Sequence, residues 1–224
     1  MKNRFPLAAA LASTLALTAC TTTDPQSLAQ NDPFEPGNRE IFAFSIAVDK
    51  VTAAPAARFY RAAVPQPARQ GVRNALTNLN APVVLANDVL QGEGEKAVNT
   101  FGRFMINSTI GLAGLLDVAT DMGIPGHDND FGITLGKGGV HEGSYLFLPL
   151  LGPKPPRDLL GTGVDNAFDP LTYMTWNNHT LYNMIRTGLT IMDKREATLD
   201  TVDSIERTSI DFYATTRSLY RQNR

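Results

Sequence analysis

Proline limits the length of almost every element that the first half of this 224-residue chain can form. Pro33, Pro36, Pro55, Pro65, Pro67 and Pro82 recur at short intervals. Each lacks an amide donor and is tolerated in a helix chiefly in its first turn. Between them the apolar residues keep three- and four-residue spacing, which is helical. Ile41, Phe44, Val48 and Val51 place a helix over Glu35–Thr52, with Asn38 as its candidate N-cap. Pro55 opens a short second helix through Tyr60 and Ala63. Pro65-Gln66-Pro67 ends that helix and starts a third, with Val72, Ala75, Leu76 and Leu79 on one face. Asn80-Ala81-Pro82 breaks the third helix, and Val83, Val84, Leu85, Val89 and Leu90 follow in a fourth. Glu95–Asn107 carries Ala97, Val98, Phe101, Phe104 and Met105 along one side. Ser108 is placed to cap an apolar helix over Thr109–Ala119 that holds Gly111 and Gly114. Two readings of those glycines stand: close packing of two helices, or a close approach that lets short helices ring a pore.

Beyond Asp121 the pattern changes. Asp121–Gly143 is rich in Gly, Asp and Asn and reads as loop, with a short extended piece at Phe131–Leu135. Its glycines make Phe131–Gly143 the expected moving part. Tyr145–Leu148 reads as a buried strand or extended segment, Gly152–Pro156 as a turn and Arg157–Ala167 as a short helix. From Thr180 to Arg224 the helical period returns, with Leu181, Ile185, Leu189 and Met192 on one stripe and charges such as Asp193 and Lys194 on the other faces. The expected fold is mainly α: a single domain of short amphipathic helices, a Gly-rich loop region and long C-terminal helices.

The N-terminus reads as a separate unit. Lys2 and Arg4 precede the apolar run Phe5–Leu17, which is shorter than the roughly 20 residues a membrane span needs. This is the layout of a secretory signal. Leu17-Thr18-Ala19-Cys20 resembles the lipobox of bacterial lipoproteins, which makes 1–19 the signal peptide and Cys20, the only cysteine, the site of lipid attachment. The polar stretch 20–31 reads as a linker and 32–224 as the helical domain. Thr21 stands where Asp commonly retains a lipoprotein in the inner membrane, which implies passage to the outer membrane.

Signatures of catalysis are absent. His141-Glu142 starts like a zinc-protease motif, but Tyr145 stands where the second His is required. His127-Asp128-Asn129-Asp130 offers a single imidazole, and reads as a solvated loop rather than a metal site. Gly136-Lys137 is followed by Gly138 instead of the Ser or Thr of a phosphate-binding loop. Ser45, Ser108 and Ser144 lack the context of a hydrolase nucleophile. A net charge of −2 with no dominant basic patch argues against nucleic acid. Binding or transport is favoured over an enzyme, with no metal and no cofactor expected.

From Asp32 onward several blocks fall in one order: Asp32-Pro33-Phe34-Glu35-Pro36-Gly37-Asn38-Arg39, Val64-Pro65-Gln66-Pro67-Ala68-Arg69, Asn78-Leu79-Asn80-Ala81-Pro82, then Asn87 to Gly92. The longest is Arg103-Phe104-Met105-Ile106-Asn107-Ser108-Thr109-Ile110-Gly111, continued by Gly114-Leu115-Leu116-Asp117-Val118-Ala119. Asp130-Phe131-Gly132, Leu148-Pro149-Leu150-Leu151-Gly152-Pro153 and Arg157-Asp158 complete the series. Over nearly the whole mature chain this resembles the MlaA/VacJ family. Gly37, Gly138 and Ser144 depart from its pattern and bear only on local loop conformation.

The resemblance implies a ring of short helices around an amphipathic channel, lipid-anchored on the periplasmic face of the outer membrane. It implies removal of phospholipids that have strayed into the outer leaflet, with phospholipid as the transported ligand. It further implies transfer to a periplasmic lipid carrier, MlaC, and association with a trimeric porin. The alternative is a structural porin-binding adaptor lipoprotein of the envelope. Asn38, Arg39, Arg103, Asn107, Asp117, Asp130, Arg157 and Asp158 lie beside apolar runs and are the candidates for a channel lining that contacts headgroups. Asn107, Asp117 and Asp158 suit helix caps or buried ion pairs better than a lining. Arg39 and Arg103 suit both roles, since a guanidinium fork can hold a phosphate.

Overall fold

The computed structural model describes residues 21–174 and 177–224; the signal-peptide segment and Cys20 lie outside the described residues. Helices α1 (Pro25–Ala29), α2 (Glu35–Val51), α3 (Ala53–Ala63), α4 (Gln66–Leu90), α5 (Gly94–Thr109), α6 (Val118–Asp121) and α7 (Phe131–Lys137) fill the first part of the chain. A two-stranded antiparallel ribbon follows, β1 (Phe147–Leu148) with β2 (Gly152–Pro153), pairing Phe147 with Pro153. Then come α8 (Pro156–Phe168), a 3-10 turn at Pro170–Thr172, α9 (His179–Thr208) and α10 (Phe212–Gln222). The mainly α class holds. Among the described residues, no helix is long and apolar enough to cross a membrane.

Several local expectations are overturned. Asn80-Ala81-Pro82 does not break a helix: α4 runs unbroken through Pro82. The proline leaves the Asn78 carbonyl without its helical partner, but α4 is held from both sides by α5 and α9, and the Asn78 side chain donates to Ser108 Oγ at 2.9 Å. Packing outweighs one lost hydrogen bond. Ser108 accordingly lies within α5 rather than capping a new helix. Residues 110–116 form a tight turn, with Leu112 at φ +54° and Ala113 at φ +59°. At Gly114, with φ +91°, a Cβ would lie 2.6 Å from the Cβ of Asn78, so the turn is pressed directly onto α4.

The supposed extended piece at Phe131–Leu135 is the helix α7, because Asp130 is a true N-cap whose carboxylate accepts from Ile133 N at 2.9 Å. Asn38, in contrast, is no cap but a buried residue inside α2. The stretch read as a linker also folds before its end. Asp24 caps α1, Ser27 is buried, and Thr22 N donates to Pro33 O at 2.7 Å.

The interior is unusual in kind. One aromatic nucleus, Phe42, Tyr145, Phe147 and Tyr213, packs edge to face, with Phe42 5.3 Å from Phe147 and 5.6 Å from Tyr213 between ring centres. Elsewhere, buried polar side chains outnumber buried apolar ones among the described residues, and they include Asp32, Asn87, Asp88, Asp158, Asp193 and Glu196. Large apolar groups lie outside instead: Phe59 on α3, Val98 and Phe101 on α5, Leu160 on α8, and Met184 and Ile185 on α9 are all more than half exposed. The stripe Leu181, Ile185, Leu189 also points out of the protein, not into a core.

Helix α10 ties the ends together. Tyr213 and Arg217 both donate to Asp32 at 2.6 Å, and Arg217 reaches Glu35 at 2.9 Å. Arg39 grips Asp211 through two nitrogens at 3.1 and 2.6 Å and stacks 4.6 Å over the Tyr213 ring. Farther along, Tyr220 donates to Asp158, Arg224 Nε lies 2.8 Å from the same carboxylate, and Arg224 also pairs with Asp130.

Candidate functional site

A cavity of about 590 Å³ opens between α4, α5, α9 and the loop at Gly126–Asp128. The α4 wall comes from one face of the helix, with Arg73, Thr77, Asn80 and Val84 at three- and four-residue spacing. The α9 wall is made the same way, by Arg186, Thr190, Asp193 and Lys194. Leu76, Ala81, Val84 and Phe104 add apolar surface, so the cavity presents polar and apolar groups together.

Its charges are mostly paired. Arg103 Nη2 donates to both Asp117 oxygens, at 2.9 and 2.8 Å, and its Nη1 donates to Thr120 Oγ1 at 3.0 Å and Ile124 O at 2.6 Å. Asn107 completes the group, donating to Asp117 at 2.9 Å and accepting from Ala119 N at 3.0 Å. Burial alone would raise the Asp117 pKa, but hydrogen bonds from Thr120, Asn107 and Arg103 outweigh it and hold the carboxyl at about 2. A carboxyl depressed in this way stabilises the fold above its unfolded pKa, and the contribution disappears as pH falls through the folded value. Acid titration of the wild type is therefore expected to cost roughly 1–2 kcal/mol from this group between about pH 4 and pH 2. Asp117→Asn should remove that part of the slope in denaturant melts across the range; an unaltered slope would contradict the assignment.

Across the cavity Arg73 Nε lies 3.2 Å from both Asp193 oxygens, and its Nη2 lies 3.1 Å from Glu196. Arg61 and Arg69 converge on the same Glu196, which is buried, so three guanidinium groups bind α3 and α4 to α9. Arg186 pairs with Asp169 at the end of α8. His127 Nε2 lies 2.7 Å from Asp88, which also accepts from Asn129 and Thr100 at 2.7 Å. Burial would raise the Asp88 carboxyl, yet the bonds from His127, Thr100 and Asn129 bring it below its ordinary value. His127 and Asn129 thus clamp a buried carboxylate, while Asp128 between them stays exposed to solvent. No group of three His, Cys, Asp or Glu side chains able to hold a metal occurs among the described residues.

Of the residues singled out from the sequence, Arg103, Asn107 and Asp117 stand together in the cavity wall. Asn38, Arg39, Asp130, Arg157 and Asp158 are not part of that wall. Asn38 bridges Asp32, Tyr145 O and Phe147 N at 2.8, 3.1 and 3.0 Å. Arg39, Asp130, Arg157 and Asp158 belong to the ion pairs around α10 and the start of α8. Sequence reasoning missed Arg73, Arg186 and Lys194. The α9 group was available as the polar stripe complementary to Leu181, Ile185 and Leu189, at spacings of four, three and one residues.

The family model described as MlaA lipoprotein matches residues 30–224. The chain belongs to the MlaA lipoprotein family. It is 34% identical over 228 residues, covering all of this chain and 90% of the relative, to the intermembrane phospholipid transport system lipoprotein MlaA of Haemophilus influenzae. The protein of that name from Escherichia coli is 35% identical over 227 residues, covering 99% of this chain and 87% of its own. A solved structure described as the structural basis for maintenance of bacterial outer membrane lipid asymmetry matches with a TM-score of 0.76 at 32% identity, over 86% of this chain and 96% of the other. Helices of this family member thus follow the path of a structure already determined.

Proposed function

We propose that this family member is a non-enzymatic phospholipid conduit, anchored through acylated Cys20 to the periplasmic face of the outer membrane. It removes phospholipid from the outer leaflet and passes it to a periplasmic lipid carrier, MlaC, while seated against a trimeric porin. The carrying observation is the pairing of a mixed polar and apolar cavity with an exterior on which Phe59, Val98, Phe101, Leu160 and Met184 are exposed. Water-exposed apolar area on this scale is costly, and lipid chains relieve it. Helices satisfy their own backbone hydrogen bonds, as hydrocarbon requires. The cavity in turn offers a headgroup polar partners and an acyl chain Leu76, Val84 and Phe104. Movement of a lipid between leaflet and carrier breaks no covalent bond, so the function needs neither a nucleophile nor a metal.

The test is outer-leaflet phospholipid exposure in cells deleted for this protein and supplied with wild type or Cys20→Ala. Deletion should raise exposure, and only the acylatable form should restore it, because several acyl chains at about 0.8 kcal/mol per buried CH₂ make attachment permanent. Unchanged exposure with intact porin association would leave the structural adaptor as the better reading.

A further inference from the structure

The cavity wall contains two charged side chains that no other described residue neutralises. Arg73, Arg103 and Arg186 are committed to Asp193, Asp117 and Asp169, and His127 to Asp88. The Lys194 ammonium and the Asp128 carboxylate line the same cavity, yet neither makes an ion pair or side-chain hydrogen bond with any described residue. They come from different walls. Lys194 follows Asp193 on α9, whose carboxylate meets Arg73 of α4. Asp128 follows His127 in the loop whose Gly126 lies against the Arg103 guanidinium of α5. On the α4 face, Thr77 and Asn80 likewise have no side-chain partner among the described residues.

From this we infer that the cavity discriminates between phospholipid headgroups, favouring those that carry an ammonium as well as a phosphate. Lys194 faces the phosphate and Asp128 the ammonium, with Thr77 and Asn80 available to the ester and glycerol oxygens. This rests on the conduit reading above and adds headgroup selection to it. The paired arginines offer a ligand little charge, since recruiting one would strip its carboxylate of a partner at a cost. A lone ammonium with three rotatable donors suits a phosphodiester that arrives in no fixed orientation. An anionic headgroup engages Lys194 through its phosphate but brings no cation to Asp128, which stays unpaired. A zwitterionic one satisfies both charges. Complementary placement of this kind acts on specificity more than on overall affinity.

The experiment uses the full chain in detergent, equilibrated with vesicles of equal parts phosphatidylethanolamine and phosphatidylglycerol. Free lipid is removed and bound lipid is quantified by mass spectrometry. Wild type should hold more phosphatidylethanolamine than phosphatidylglycerol. Asp128→Asn should lower that ratio roughly two- to fivefold, the scale of one solvent-accessible ion pair, through loss of bound phosphatidylethanolamine and not of phosphatidylglycerol. Lys194→Gln should lower both lipids together by a similar factor. Both side chains are exposed and unpartnered, so far-ultraviolet dichroism should show both variants folded. A ratio that is the same in wild type and Asp128→Asn overturns the selection, as does full lipid loading by Lys194→Gln. A wild type that holds phospholipid but does not discriminate sinks this inference alone, whereas one that holds no phospholipid sinks the conduit reading with it.

Discussion

Asp32→Asn should lower the stability of the folded chain by about 3 kcal/mol, the low end of what breaking a buried ion pair costs. Asp32 is fully buried and receives three donors, Asn38 Nδ2, Tyr213 Oη and Arg217 Nη1. The amide keeps the shape but not the charge, and one of its two positions becomes a donor facing donors. Arg217, itself buried, is left with Glu35 alone, which is why the low end applies. The penalty should be read as a shift in denaturant midpoint in detergent micelles. A loss below about 1 kcal/mol, the worth of an exposed pair, would mean that α10 does not depend on this knot. Glu35→Gln, which leaves the Asp32 charge in place, should cost less than Asp32→Asn.

The second large effect belongs to a contact without side chains. Where α7 crosses α8, a Cβ on Gly161 would lie 2.5 Å from the Gly132 nitrogen and 2.9 Å from its Cα. The obstacle is backbone, so it cannot swing aside as a side chain would. Gly161→Ala must push α7 off α8, stretching the 3.0 Å bond from Phe131 N to Asp165. Overpacking costs roughly 1–3 kcal/mol, and the upper end is expected here. Gly163, two residues on, has nothing within 4 Å of its would-be Cβ. Gly163→Ala should therefore gain about 0.5–1 kcal/mol from helix propensity. Melting both variants side by side separates the crossing from any general dislike of alanine in α8; equal shifts would remove the close approach as the cause.

These two sites show what could be read from the chain alone. Apolar periodicity located α2, α5 and α9 because it reports the helix and not what the helix packs against. The same blindness gave the stripe Leu181, Ile185, Leu189 no direction: it faces outward, and its polar complement forms a wall of the cavity. Pro82 misled because local chemistry was weighed without the α5 and α9 contacts that hold α4 straight. The turn at 110–116 was hidden by good helix formers, Leu112 and Ala113, that are nonetheless held at positive φ. Family resemblance reached Arg103, Asn107 and Asp117 as neighbours in sequence order, and the structure brings them into one hydrogen-bonded group. A buried ion-pair role for Asp158 was legible, but its partner and that of Arg39 lay beyond reach, because Arg224 and Asp211 are distant in the chain.

An interior assembled from acids, bases and amides, under an exterior of leucine, methionine and phenylalanine, also reverses the usual pattern of tolerated change. On the outer faces of α5 and α9, one large apolar residue can replace another with little consequence, since these exposed side chains are not locked into close packing. Within the knots around Asp32, Asp88, Asp117 and Glu196, even a swap that keeps the volume strands a donor or an acceptor. Over evolutionary time such a chain can drift freely in the size of its surface side chains while holding their hydropathy. Its interior acids and bases can change only in compensating pairs.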